Sequence, residues 1–158
     1  MSTSTLPPRW LFRSVWVVDR ASHRLTGGRR GLSRPKPDRW GTMGLTTIGR
    51  RTGKDRCAIL GYYEDGPNLV ALAMNGWADA EPAWWLNLQA HPDAVVKLTD
   101  GPRTVRARAA KGDERARLWE RWRDLGQRSG EAIMADVDGY ATQLSREVSV
   151  VVLEPRPG

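Results

Sequence analysis

Cysteine and histidine are almost missing from this 158-residue chain: Cys57 stands alone, and His23 and His91 are the two histidines. One cysteine excludes an internal disulfide, and the three residues together cannot complete a Cys/His zinc site. Phenylalanine occurs once against eight tryptophans and three tyrosines, so aromatic bulk comes mainly as indole. No apolar run approaches the roughly 20 residues that span a bilayer. The opening residues also lack a signal peptide's apolar core and small-residue cleavage site. Together these absences point to the cytoplasm. No Ser/His/Asp order, carboxylate pair or metal-ligand spacing is visible, and neither histidine has an acid or nucleophile beside it in sequence, so both read as surface residues.

What is present is ordinary in bulk and uneven in distribution. The chain is 40% apolar and 27% charged, as expected of a globular protein large enough to bury a core. Its net charge is +7. Residues 1–56 hold 13 Arg/Lys against 3 Asp/Glu, and residues 57–158 hold 12 against 15, so the first part carries +10 and the rest −3. The basicity belongs to the N-terminal third. That pattern suits nucleic acid, an anionic membrane surface or a polyanionic small molecule.

Pattern divides the chain into a basic lead-in, residues 1–40, and a body, residues 41–158. Residues 9–23 have helical spacing, with Leu11, Val15 and Val18 on one face, Trp10, Phe12 and Trp16 beside it, and Arg13, Arg20 and Arg24 elsewhere. Gly27-Gly28 stops that helix, and residues 29–39 read as a basic linker. The body reads as strands at 42–48, 57–63 and 68–73, with Glu64-Asp65-Gly66-Pro67 as a hairpin turn. A short helix is expected at 81–90, with Pro82 in its first turn and Pro92 beyond its end. On it Trp84 and Trp85 are adjacent, so only one is expected to face fully inward. Strands at 94–99 and 103–109 flank Asp100-Gly101-Pro102. The second alternates Val105, Ala107 and Ala109 against Arg106 and Arg108, the pattern of a half-buried antiparallel strand.

The spacing predicts a strong helix over 113–128, with Leu118, Trp119, Trp122 and Leu125 as a core stripe. A weaker helix over 131–144 is expected to break near Gly139, and 148–153 is an apolar final strand. Short antiparallel strands with interposed helices indicate the α+β class, as a small barrel or sheet.

The densest chemistry lies in Thr46-Thr47-Ile48-Gly49-Arg50-Arg51-Thr52-Gly53-Lys54-Asp55-Arg56, between two strands. Glycines allow a tight turn and close approach of amides to a ligand. Guanidinium forks match phosphate or carboxylate oxygens, and Lys54 adds a point charge. The residues alone leave two readings open, an anion-binding loop and a solvated basic hairpin tip. Cys57, leading out of the loop, reads as a small buried residue.

The chain resembles the deazaflavin-dependent nitroreductase-like oxidoreductases of actinobacteria, which use coenzyme F-420. The matching pieces are residues 45–54 with Arg56, then Asn75-Gly76, then Pro82-Ala83-Trp84-Trp85-Leu86-Asn87-Leu88 with Pro92. Asp113-Glu114-Arg115-Ala116 with Trp119 and Val150-Val151-Val152-Leu153-Glu154-Pro155 follow in order. The resemblance implies a split β-barrel of the flavin-binding type. It also implies that the cofactor's phosphodiester and carboxylates lie against Arg50, Arg51, Lys54 and Arg56, with Thr52 and Gly53 as further donors. By the same match Ala73, Met74 and Asn75 line the deazaflavin and its ribityl chain, and Ala83 and Trp84 sit against them.

The implied reaction is hydride transfer from the reduced cofactor to an electron-poor C=C (enone, quinone, lactone) or a nitroaromatic. Tyr140 matches an aromatic position near the substrate and is the candidate hydrogen-bond or proton donor. The substrate side departs from the family pattern. Met74 stands where a small hydroxyl residue is common, Trp77 where glycine is usual and Trp85 where tyrosine is usual. Met134 and Val137 occupy positions of substrate-facing tyrosines, and Ile59 that of a frequent proline.

Other functions remain to be weighed against this one. A nucleic-acid-binding module would explain the basic third, but no helix-turn-helix, RNA-binding sheet motif or zinc finger is recognisable, so no nucleic acid is expected. A barrel binding flavin mononucleotide or haem, or merely carrying F-420, is the nearer rival. The basic N-terminal helix suits peripheral contact with an anionic membrane, packing on its own barrel, or covering a partner. Monomer and homodimer are both open.

Overall fold

The computed structural model describes residues 31–157. The helix expected over 9–23, with His23, lies outside the described residues. Six strands form a closed antiparallel barrel: β1 (Gly41–Ile48), β2 (Asp55–Asp65), β3 (Asn68–Leu72), β4 (Asp93–Leu98), β5 (Gly101–Ala109) and β6 (Val150–Pro155), in the order β1-β2-β3-β6-β5-β4. The pairing of β4 with β1 closes it, aligning Thr46 with Val95. Helix α1 (Ala83–Ala90) links β3 to β4, and α2 (Gly112–Ser129), α3 (Ala132–Ala135) and α4 (Val137–Thr142) lie between β5 and β6.

Period-two alternation explains the barrel interior. Met43 and Leu45 from β1, Leu60 and Tyr62 from β2, and Ala94, Val96 and Leu98 from β4 share one core with Leu69, Ala71, Val105, Val151 and Leu153. On β5 the expected alternation is present. Val105 is buried while Arg106 pairs outside with Asp93 at 3.0 Å, and Arg108 with Glu114 at 2.6 Å and Glu154 at 2.9 Å.

Strands β3 and β6 are buried on both faces, which is why 150–153 reads as an unbroken apolar run; the final strand starts at Val150 rather than at Val148, after Ser149. Val151 and Leu153 point into the barrel, and Val150 and Val152 pack under the helices with Val70, Leu72, Leu118, Trp122, Leu125 and Tyr140.

Helix α2 starts with Asp113 and Glu114 in its first turn, where carboxylates favour the positive end of the helix dipole, and ends at Gly130 with φ of 77°. Of its expected stripe, Leu118, Trp122 and Leu125 are buried. Trp119 is only half-buried, with its Nε1 donating to Asp138 at 2.7 Å.

Three expectations need correction. The break between α3 and α4 falls at Asp136, not Gly139, because the Asp136 carboxylate accepts from the Gly139 amide at 3.0 Å and starts a new helix. Cys57 is exposed: Leu60 and Tyr62 take the inward positions of β2, and Cys57 falls on the opposite phase, its Sγ 3.3 Å from the Thr46 hydroxyl. Trp84 and Trp85 are both buried, at 7% and 4% exposure, and both belong to the barrel core. α1 caps the barrel closely enough to take both indoles, edge to face at 6.4 Å.

Candidate functional site

The loop between β1 and β2 closes on itself. The Gly49 amide donates to the Lys54 carbonyl at 2.7 Å and the Gly53 amide to the Gly49 carbonyl at 2.8 Å. Gly53 has φ of 74°, open to glycine and strained for other residues. A side chain at Gly49 would be tight, since a Cβ there would meet the Lys54 carbonyl at 3.0 Å and the Thr52 hydroxyl at 3.1 Å. The Thr52 oxygen accepts from the Lys54 amide and from the Arg56 guanidinium, each at 3.2 Å, which leaves its own hydrogen free to donate.

The base of this loop is held by a residue that sequence reasoning quoted but gave no role. Asn87, 3% exposed, lies on α1; its Oδ1 accepts from the Arg50 amide and its Nδ2 donates to the buried Thr47 hydroxyl at 3.0 Å. Its signal was an amide flanked by Leu86 and Leu88 in a mostly apolar helix, Ala83–Ala90, where a buried polar side chain must find partners.

Charge pairing sets the loop apart. Every arginine from Arg103 onward among the described residues has a carboxylate within ion-pair distance. Arg50, Arg51 and Lys54 form no such pair among the described residues, and Arg51, Thr52, Gly53 and Lys54 are exposed. Cations without a carboxylate partner among the described residues, on a glycine-shaped loop, make a locally positive surface. The donors suit a group bearing a phosphodiester and carboxylates. Surface cavities of about 400 Å³ beside Tyr63 and Arg117 and about 300 Å³ beside Ser33 and Arg39 lie away from it. Among the described residues no group of three His, Cys, Asp or Glu could hold a metal ion.

The second group of expected site residues is in the segment after β3. Ala73 is fully buried, Met74 half-buried against the helical core, and Asn75 and Ala83 exposed. Tyr140 reaches this segment from α4: its hydroxyl donates to the Gly76 carbonyl, and its ring lies 5.2 Å from that of Trp77. Burial pushes the Tyr140 phenol above its ordinary pKa, with the charge of Arg146 opposing.

The structure thus brings together Arg50, Arg51, Thr52, Gly53, Lys54 and Arg56 on one loop, and Met74, Gly76, Trp77 and Tyr140 in one cluster. Helix α1, which starts at Ala83 and follows the second group in the chain, reaches the loop through Asn87, one turn on. Trp84 is packed into the barrel core, and Met134 and Val137 are core residues. His91 is exposed, as expected.

Residues 18–155 match the sequence model of the F420H(2)-dependent quinone reductases. The chain belongs to that family. Family membership makes it an oxidoreductase that uses reduced coenzyme F420, and the cationic loop fits the group in its chemistry. A Mycobacterium tuberculosis protein described as an F420H(2)-dependent quinone reductase is 33% identical over 126 residues, covering 80% of this chain and 96% of its own. The solved structure of an F420-H2 dependent reductase is similar at a TM-score of 0.59 and 25% identity, covering 78% of this chain and all of that one. A domain-swapped dimer has the same fold at a TM-score of 0.60 and 23% identity, over 87% of this chain and 97% of its own. The split barrel expected of an F420H(2)-dependent quinone reductase is therefore the fold observed.

Proposed function

We propose that this chain reduces an electron-poor acceptor, a quinone first and an activated enone second, with hydride from reduced F420. The observation that carries the reading is the cationic loop, whose Arg50, Arg51 and Lys54 form no ion pair among the described residues, fixed to the barrel through Asn87. When bound, the cofactor supplies an obligate two-electron hydride, because carbon replaces the flavin's central nitrogen.

The chain's own share is binding, orientation and proton management. Arg50, Arg51, Lys54 and Arg56 hold anionic oxygens, and Thr52 and the Gly53 amide add donors. Met74 and Asn75, with Ala83, border the ring, while the side chains of Ala73 and Trp84 back them from the barrel core. Met74 offers no hydrogen bond where a nitro group would want one, which favours quinones and enones over nitroaromatics.

Tyr140 is the candidate proton donor. To act it must release the Gly76 carbonyl, and its raised pKa makes it a weaker acid than a free phenol. A reduced quinone oxygen is basic enough to take its proton from water, so loss of Tyr140 need not abolish turnover. Homodimer formation and contact of the N-terminal segment with an anionic membrane remain parts of this proposal; no helix among the described residues is long and apolar enough to cross a membrane.

The test has two stages. Purified protein is titrated with F420 by fluorescence quenching, and then oxidation of the reduced cofactor is followed against quinones, enones and nitroaromatics. Tight F420 binding with quinone turnover is expected; binding without turnover of any acceptor would leave an F420 carrier. A Tyr140→Phe variant that keeps its rate at neutral pH would assign the proton to water.

A further inference from the structure

We propose that Trp77 determines specificity on the acceptor side, giving a planar acceptor ring a surface on which to stack, and that Tyr140 and Arg146 are the positioning residues that hold it. This rests on the hydride-transfer reading above and names the residue that selects the acceptor.

Trp77 is 59% exposed, against 38% for Ile48 and 41% for Val95, the other exposed large apolar side chains among the described residues. An indole left in water on a loose loop would be unremarkable, but this loop is tied down along its length. Asn75 and Trp77 form an isolated β-bridge, and the Asn75 side chain donates to the Ala80 carbonyl at 3.2 Å. Tyr140 holds the middle, with its hydroxyl on the Gly76 carbonyl and its ring tilted 58° to the Trp77 ring.

Arg146 holds both ends. Its Nη1 donates to the Ala73 carbonyl at 3.1 Å and to Glu81 at 3.0 Å, and its Nε to the Asp79 carbonyl at 2.7 Å. The neighbouring Ser145 amide donates to the Asp79 carboxylate at 2.9 Å. The Arg146 side chain is only 13% exposed, and its Nη2 is buried without a hydrogen-bond partner. A buried cation spent on two backbone carbonyls and one carboxylate fixes the course of the segment between them, and only a forked, five-donor group reaches all three.

One side of the indole is therefore supported and much of the rest is open, four residues beyond Ala73 in the segment that borders the ring in the proposed function. A pre-positioned aromatic surface loses little freedom when a second ring stacks on it. An acyclic acceptor gains nothing from it. The expected contribution is roughly two- to twelve-fold in acceptor affinity.

The experiment compares wild type, Trp77→Ala, Trp77→Phe, Arg146→Lys and the double variant Arg146→Lys/Trp77→Ala. Each is assayed with saturating reduced F420 against a naphthoquinone and an acyclic enone, with F420 affinity measured separately by fluorescence quenching. Trp77→Ala is expected to raise the ratio of naphthoquinone KM to enone KM by roughly two- to twelve-fold, and Trp77→Phe to restore most of it. Arg146→Lys is expected to move the ratio the same way, with no further shift in the double variant, because both act through one indole.

An unchanged ratio in Trp77→Ala, with F420 affinity intact, overturns the specificity role. Fully additive shifts overturn the positioning role of Arg146. Failure of wild type to bind F420 sinks the underlying reading instead, and binding with turnover of neither acceptor sinks the acceptor-side assignment.

Discussion

Asn87 takes the backbone amide of Arg50 at 3.1 Å and its guanidinium at 3.2 Å on a single oxygen, Oδ1. The same side chain donates to Thr47 inside the barrel. One buried amide thus ties the start of the cationic loop to both α1 and β1, and sets where the loop's charge is presented. Replacing Asn87 with Ala would leave the Arg50 amide and the Thr47 hydroxyl without their partner. A loss of about 1–3 kcal/mol in urea unfolding is expected, together with weaker F420 binding in the fluorescence titration. Normal stability and normal affinity would show that the loop holds its shape without Asn87.

Arg51 and Lys54 should behave in the opposite way. Neither forms an ion pair among the described residues, and both are exposed, so Arg51→Ala and Lys54→Ala are expected to leave Tm nearly unchanged. Each should weaken F420 binding by about 1–2 kcal/mol at low salt. The deficit should shrink as salt screens the wild type. Unaltered affinity in both variants would move the cofactor's anionic part off this loop.

Met74→Ser tests the acceptor side independently of the loop. Met74 is half-buried against the helical core, so truncation is expected to cost about 1–2 kcal/mol in stability. Turnover of nitroaromatics relative to quinones should rise, since a hydroxyl can donate to a nitro oxygen. F420 affinity should stay within about twofold. An unchanged acceptor profile would remove Met74 from the pocket.

Acid stability follows from three carboxylates. Arg117 beside Asp65, Arg108 beside Glu114, and Arg123 with Trp119 beside Asp138 hold these carboxyls below their ordinary pKa. A carboxylate whose folded pKa is depressed stabilises the fold above its unfolded pKa, about 4, and loses that contribution as pH falls through the folded value. Tm should therefore be insensitive to these groups from neutrality to about pH 5 and decline below about pH 4. Asp138→Asn should flatten that decline. An identical acid profile in the variant would show that the Arg123–Asp138 pair at 2.6 Å contributes nothing to it.

Local pattern was a good guide where one face of an element had one neighbour. Val105 and Arg106 on β5, and Leu118, Trp122 and Leu125 on α2, sort by the strand and helix periods, and they lie where those periods put them. The β1–β2 loop was legible as a tight basic turn because its glycines and cations are contiguous, while the residues alone left an anion surface and a solvated hairpin tip both open. Cys57 was misread because burial along β2 depends on which phase of the alternation faces inward, and Leu60 and Tyr62 decide that from three and five residues away. Trp84 and Trp85 were misread because a short capping helix can bury adjacent positions when the barrel mouth receives both.

By itself the sequence determined the antiparallel strand set, the helix carrying Trp122 and the placement of positive charge, since each is written in residues adjacent or periodic along the chain. Only the tertiary structure decided that Asn87 grips Arg50 across 37 positions and that Arg146 clamps the segment from Ala73 to Glu81 across more than 60. Those contacts exist because barrel closure brings distant carbonyls and amides within about 3 Å of each other, and no local spacing records which donor will meet which acceptor.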